Sequence, residues 1–347
     1  MLQRVLTLGL IAAMTACAGG APNEGAASSS GAASSGTASS ATSASIGPSS
    51  ASAHAEPAAR PTLSDRVVFV DAARARERLG AEDEFTRTLG DFDRSARVGS
   101  AAPVTDKAFR EFAAKQALDW PEAAKANWRD AVGRLSKAVE GLALELPPEV
   151  ELIMTTGHEE FDAPHTRGPA IVVPESTVRT TKDPFGLLAH ELFHVLSRHQ
   201  PKLRERLYPI LGFHKIKPVA YPDKLAARRI TNPDAPVFEY AITVERSGGA
   251  GKVDVVALYY SKYDVQATIR AGLMGSLSLD LLEVATGALL DVDATDYLAR
   301  ASLNTEYAIH PEETMADNFA LLAALRAGRD VHPKRPDILA AVEAALR

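Results

Sequence analysis

Apolar positions recur along this chain with two different periods, and the change of period divides it into parts. Helical spacing governs residues 71–95 and 104–118, and PEAAKANWRDAVGRLSKAVEGL predicts a strong packing helix with Pro121 in its first turn. Ahead of them the short apolar run DRVVFV reads as a strand or a helix start. VELIMTT and PAIVVP, parted by a turn-rich segment, predict two sheet strands. Helical spacing returns in DPFGLLAHELFHVLSRHQP, with Asp183 as the expected N-cap, Pro184 at the first helical position and Pro201 as the stop. KLRERLYPILGF predicts a further short helix. PVFEYAITVER and KVDVVALYYS have strand composition, and SGGAG joins them as a glycine-rich hairpin. Residues 293–305, 311–327 and 335–346 are helical again. Helices, then strands, a helix, a hairpin and more helices make an α+β order.

Composition changes the picture at the N-terminus. Arg4 precedes an apolar run from Val5 to Met14 that is too short to span a bilayer, as in a secretory signal peptide. It ends in MTAC, on the only cysteine of the chain, Cys17. This resembles a bacterial lipobox, which implies lipidation of Cys17 and an exported cell-envelope lipoprotein held to a membrane by its N-terminal lipid, on the periplasmic face of the outer membrane or at the cell surface. Met14 departs from the usual leucine, and plain cleavage near Ala16 or Ala18 is the alternative. Residues 18–61 are almost all Ala, Ser, Gly and Thr, too poor in apolar surface to offset their ordering entropy. They are expected to form a disordered tether with a reach on the order of 35 Å.

Residues 62–347 then make the folded part: 62–148 helical, 149–212 with the strands and the HELFH helix, 213–292 β-rich, and 293–347 helical. Without a further cysteine this part contains neither a disulfide nor a thiolate-bound metal. The net charge of −6 is interspersed, with no basic stripe, so nucleic acid is not an expected partner. AGLMGSLSLDLLEVATGALL is apolar but carries Asp280 and Glu283, which argues against a membrane span.

The chemistry concentrates in HELFH. Positions four apart share a helix face, so His190 and His194 can offer two imidazoles to one ion. Glu191 lies one residue round, where a base could take the proton of a metal-activated water. A third protein ligand is needed. Ser197 and Gln200 stand where a metzincin pattern needs Gly and His, and His199 points off the metal face. A glutamate followed four residues later by an aspartate would supply a ligand and its hydrogen-bonding support. Of the 23 glutamates only Glu313, with Asp317, has that spacing, and it lies on a helical segment.

With these pieces, H190-E191-L192-F193-H194 and E313-T314-M315-A316-D317-N318, the chain resembles the gluzincin metallopeptidases, the thermolysin-like and neprilysin-like group. The resemblance covers these two helices and the strand pair before them. It implies a small mixed sheet with an HExxH helix and a second ligand-bearing helix. It further implies one Zn2+ per chain held by His190, His194 and Glu313, Glu191 as general base, and Asp317 orienting His190. With 118 residues between His194 and Glu313, the hairpin region must be an insertion. Glu312 competes as a ligand but has Ala316 four residues on, so Glu313→Ala is expected to weaken metal retention and Glu312→Ala is not.

Tyr307 and His310 are the nearest candidates for oxyanion donors, with packing of Tyr307 ahead of the helix and capping of the helix by His310 before Pro311 as the competing readings. Gly168 to Val173 is the candidate sheet edge for extended substrate, with a core strand as the competing reading. Trp120 and Trp128 are expected in the core, and His158, His165, His199, His214 and His332 on the surface or in loops. The leading expectation is a peptidase acting on peptide or protein substrate. An inactive zinc-binding lipoprotein and a zinc amidase acting on cell-wall cross-bridges are the rivals.

Overall fold

The computed structural model describes residues 61–249 and 251–347. The expected signal peptide, the lipidated Cys17 and residues 18–60 of the tether lie outside the described residues.

The fold is α+β, with two sheets. The first holds β1 (Val67–Phe69), β2 (Ala117–Leu118), β3 (Val150–Thr155), β4 (His165–Arg167) and β5 (Ala170–Pro174). Its order is β1-β3-β5-β4, with β2 also pairing β3. The pairs β1–β3 and β3–β5 are parallel, while β4 is antiparallel to β5 and β2 to β3, so the sheet is mixed. VELIMT and AIVVP are buried at every position, as continuous apolar strands covered on both faces should be. DRVVFV divides between the short helix Leu63–Arg66 and β1.

The segment expected to be a hairpin is larger. Strands β6 (Phe213–Lys215), β7 (Tyr240–Glu245), β8 (Lys252–Ser261), β9 (Leu277–Glu283) and β10 (Leu289–Leu290) form a second, wholly antiparallel sheet. Between β7 and β8, Gly248 and Gly249 turn the chain with φ of 75° and 74°, a conformation that glycine adopts without a Cβ penalty. The apolar AGLMGSLSLDLLE run is the end of the helix Val265–Ser276 followed by β9. Among the described residues no helix is long and apolar enough to cross a membrane.

The helices differ from the reading of the sequence mainly in length. Residues 71–95 break into Ala72–Gly80, Glu84–Thr88 and Asp91–Val98, the first two opened by the Asp71 and Asp83 carboxylates. Residues 293–305 keep only Tyr297–Ala301. Pro121 stands just outside the helix Glu122–Ala138 as its N-cap. Trp120 and Trp128 pack edge to face in the core, 5.2 Å between centroids.

Two helices position the site. Phe185–His199 begins after Pro184, and Asp183 accepts a hydrogen bond from the Phe185 amide at 3.2 Å. Pro311–Arg326 begins with proline at its first position, where the missing N–H costs nothing. The fully buried Phe193 and Phe319 meet between them at 5.8 Å. Truncating either to alanine would cost about 3–5 kcal/mol, so the spacing of the two helices is firmly set.

Candidate metal centre

The histidine helix turns a polar stripe inward. His190 and His194 stand one turn apart with ring centroids 4.8 Å apart. Opposite them, Glu313 Oε2 lies 3.2 Å from His190 Nε2 and 3.5 Å from His194 Nε2. Three donors around a tetrahedral ion with bonds of about 2.0–2.1 Å lie roughly 3.3 Å apart, which matches the two separations from Glu313. His190, His194 and Glu313 form one group able to hold a metal ion. His194 Nε2 makes no hydrogen bond although it is buried, and an orphaned buried nitrogen is costly unless something binds it. The donor set, two imidazoles and a carboxylate, fits a divalent ion.

Each imidazole is held from behind by a carboxylate. His190 Nδ1 donates to Asp317 Oδ1 at 2.8 Å, and the Thr305 hydroxyl donates to the other Asp317 oxygen. His194 Nδ1 donates to Glu312 Oε1 at 3.0 Å. Glu312 also accepts from Ser197 and Tyr208 and faces Arg204 at 3.3 Å. The expectation that Glu312 is dispensable is therefore corrected: it supports His194 as Asp317 supports His190. The support for His194 comes from the residue immediately before Glu313 on the same helix, and not from one four residues on.

The electrostatics favour positive charge here. Burial works against a charged His190, but Asp317 and Glu313 outweigh it and raise its pKa to about 10. Burial is also outweighed at His194, where Asp234 and Glu313 raise the pKa well above the usual imidazole value. At Glu312, Arg204 and His194 overcome burial and hold the carboxyl at about 2. Glu313 falls well below the ordinary carboxylate range because His194 and His190 overcome its burial. A dication would replace these imidazolium protons, so binding should release protons.

Glu191 points into a cleft of about 100 Å³ that His190, Glu313, Tyr259, Tyr307 and Asp234 also line. Its Oε2 is buried without a partner. Burial first, and then the nearby Asp234, push its pKa up to about 8. Leu187, Ile230, Leu273, Leu277 and Ile309 form the apolar part of the lining.

Several readings of the sequence are corrected by position. His310 accepts the Glu312 amide at 3.1 Å through Nδ1 and caps its helix, and it is not among the residues lining the cleft. Tyr307 does line it. Gly168 to Val173 is not a free edge, because β4 pairs with β5 on the outer side. His165, expected on the surface, is buried on β4 and lines the cleft, and desolvation lowers its pKa to about 4. His158, His199 and His332 are exposed, while His214 is half-buried and pairs with Asp254 at 3.2 Å.

Three cleft residues were missed. Tyr259 comes from β8 with a buried, unpartnered hydroxyl. Asn232 donates to Glu313 Oε1. Asp234 joins Glu191 and His194 in a second group able to hold a metal ion. The only local signal was turn chemistry in TNPD, which marks a loop and nothing more. Compared with protein-family models, with curated proteins and with solved structures, the chain matches none.

Proposed function

We propose that the chain is a zinc-dependent peptidase of gluzincin type. One observation carries the reading: His190, His194 and Glu313 converge on one point while Glu191, a residue further round the helix, faces the cleft beside it. Zinc bound there would supply a Lewis acid and a water of lowered pKa. Glu191 would hold the position from which a base can accept a proton from a water at the centre and pass it to the leaving amine. Tyr307 and Tyr259, whose burial keeps their pKa values well above 10, remain protonated and can donate to the developing oxyanion. Asp317 and Glu312 fix the two rings so that both Nε2 atoms face the ion. The apolar lining receives a side chain of a peptide or protein substrate. Lipidation of the lipobox-like Cys17 would hold the enzyme to a bacterial envelope membrane.

The test is metal analysis beside kinetics. The wild type should retain about one zinc per chain and hydrolyse a peptide library. Glu191→Ala should retain the zinc and lose about 10²–10⁴-fold in rate. A wild type that takes up no zinc after gentle purification removes the basis of the reading. A fully active Glu191→Ala removes its mechanism.

A further inference from the structure

A long peptide threaded through a cleft binds most simply by pairing with a free sheet edge. The outermost strand beside this cleft is β4, and its middle residue is Thr166. The Thr166 amide is already taken: it donates to Asp234 Oδ1 at 2.8 Å, and the Thr166 hydroxyl donates to the same oxygen at 2.6 Å. Thr231, Asn232, Pro233 and Asp234 line the cleft on this side, next to His165 of β4. Thr231 and Asp234 are 1% and 6% exposed, and His165 and Thr166 are 1% and 0% exposed. The cleft therefore ends here on buried chain, with no passage for a substrate that runs on past Asp234.

Both of those bonds fall on Oδ1, and among the described residues Asp234 Oδ2 accepts none. The carboxylate lies within 4.8 Å of donor atoms of Glu191 and His194. A second metal ion beside the first is poorly served there. His194 Nδ1 is committed to Glu312, and its Nε2 belongs with His190 and Glu313. Two carboxylates are left, too few for a hard cation that takes six or more oxygens. They suit a cation that donates hydrogen bonds. Glu191 supplies the independent sign that such a donor is missing, since its Oε2 is buried in the cleft without a partner. An α-amine lies about 2.5 Å from the carbonyl carbon of its own residue, so a carboxylate that receives it must stand this close to the hydrolytic groups. The remaining lining, with Leu187, Leu273, Leu277 and Ile309, is apolar, and the cleft holds about 100 Å³. Pockets for drug-sized ligands hold roughly 300–1,000 Å³, so this one suits a single side chain.

We propose that the cleft takes the free N-terminus of a peptide, with the Asp234 carboxylate binding its ammonium group and the apolar lining its first side chain, so that the chain removes residues from that end. The proposal rests on the metallopeptidase reading above and makes the enzyme an exopeptidase. The amide bond after the first residue takes up one water, giving a free amino acid and a peptide shorter by one. Asp234 is already desolvated and fixed by Thr166 before substrate arrives, so the ammonium meets an oriented charge without a further ordering cost.

The experiment uses the whole chain loaded with zinc and titrated in a calorimeter with leucine hydroxamate and isocaprohydroxamate, which differ only in the α-amine. The wild type should bind the amine-bearing ligand at least about tenfold tighter. Asp234→Asn keeps an oxygen for Thr166 but loses the charge. It should erase that preference while binding isocaprohydroxamate as the wild type does. Hydrolysis should follow the same rule: leucyl-glycyl-glycine releases leucine, and its N-acetyl derivative is cut at least about 100-fold more slowly. Equal wild-type affinities for the two hydroxamates overturn the proposal while leaving the metal centre standing, and that comparison needs no variant to fold. A preference that survives in Asp234→Asn overturns it as well. So does cleavage of the acetylated peptide as fast as the free one. A wild type that takes up no zinc, or that hydrolyses neither peptide, removes the peptidase reading and this one with it.

Discussion

The cleft beside His190 and His194 has two walls, and they are held by different forces. On one side the histidine and glutamate helices meet through buried aromatic contact, with Phe193 and Phe319 side by side, and His190 and His194 bond across to Glu312, Glu313 and Asp317. On the other side a strap, Thr231 to Asp234, has no helix or strand of its own. A buried charge network holds it: Arg97 between Asp93 and Glu160, and Asp93 in turn gripping Thr231. Non-directional packing tolerates small shifts and gives a wall that survives loss of any one polar contact. A charge network is worth little over its hydrophobic equivalent while intact, yet fails abruptly when one member goes. The helix wall therefore suits a donor set of fixed spacing, whereas the strap wall stands or falls with its buried charges.

The sharpest test of that contrast is Arg97→Met. Arg97 is fully buried, 2.9 Å from Asp93 and 2.7 Å from Glu160 through Nε. Removing it strands two buried carboxylates, with an expected loss of about 3–5 kcal/mol in a urea melt. A loss below about 1 kcal/mol would show that the strap wall is held by packing after all, and the contrast between the walls would collapse.

Next in size is a pH effect beside the same network. Glu159, preceding Glu160 in the turn after β3, is buried with one oxygen unpartnered, and desolvation raises its pKa to about 7. A carboxyl raised on folding favours the native state below its unfolded pKa, near 4.5, and that contribution drains away as pH climbs through the folded value. Between those limits only the unfolded chain ionises. Glu159→Gln should therefore match the wild type near pH 4 and exceed it by up to about 3 kcal/mol at pH 8, at about 1.4 kcal/mol per unit. Parallel melts across that range check it. An offset that does not change with pH would place the effect in packing.

The two walls also differ in how far the amino-acid sequence discloses them. The helix wall is written in local spacing: His190 and His194 four apart, and Glu313 and Asp317 four apart. Such pairs share a face whatever the rest of the fold does. The α+β order was legible for a similar reason, since period and turn residues are local. The second sheet was legible only in its β7–β8 hairpin, because SLSLDLLE mixes small polar and apolar residues and follows an apolar helical run, leaving β9 without a clear start. The strap was invisible because Thr231, Asn232 and Asp234 act through partners 65 or more residues away, such as Asp93, Thr166 and Glu313. His310 illustrates the same limit from the other side. A histidine ahead of Pro311 can be read as an oxyanion donor or as a helix cap, and only the hydrogen bond from the Glu312 amide decides between them.

The smallest expected effects compare the supports within the helix wall itself. Asp317→Asn and Glu312→Gln each remove the negative charge behind one imidazole, and each should lower zinc affinity about 10–100-fold in competition with a chelator. That is about 1.4–2.7 kcal/mol. They should part company in the metal-free chain. The Asp317 side chain is 17% exposed, and its loss leaves only a Thr305 hydroxyl to find water. The Glu312 side chain is 2% exposed and also serves Tyr208, Ser197 and Arg204. Replacing it leaves the Arg204 guanidinium without its closest charge in a buried setting, so Glu312→Gln should lower the urea midpoint of the metal-free protein where Asp317→Asn should not. Equal midpoints with unequal zinc affinities would mean that the helix wall is organised by its metal rather than ready for it.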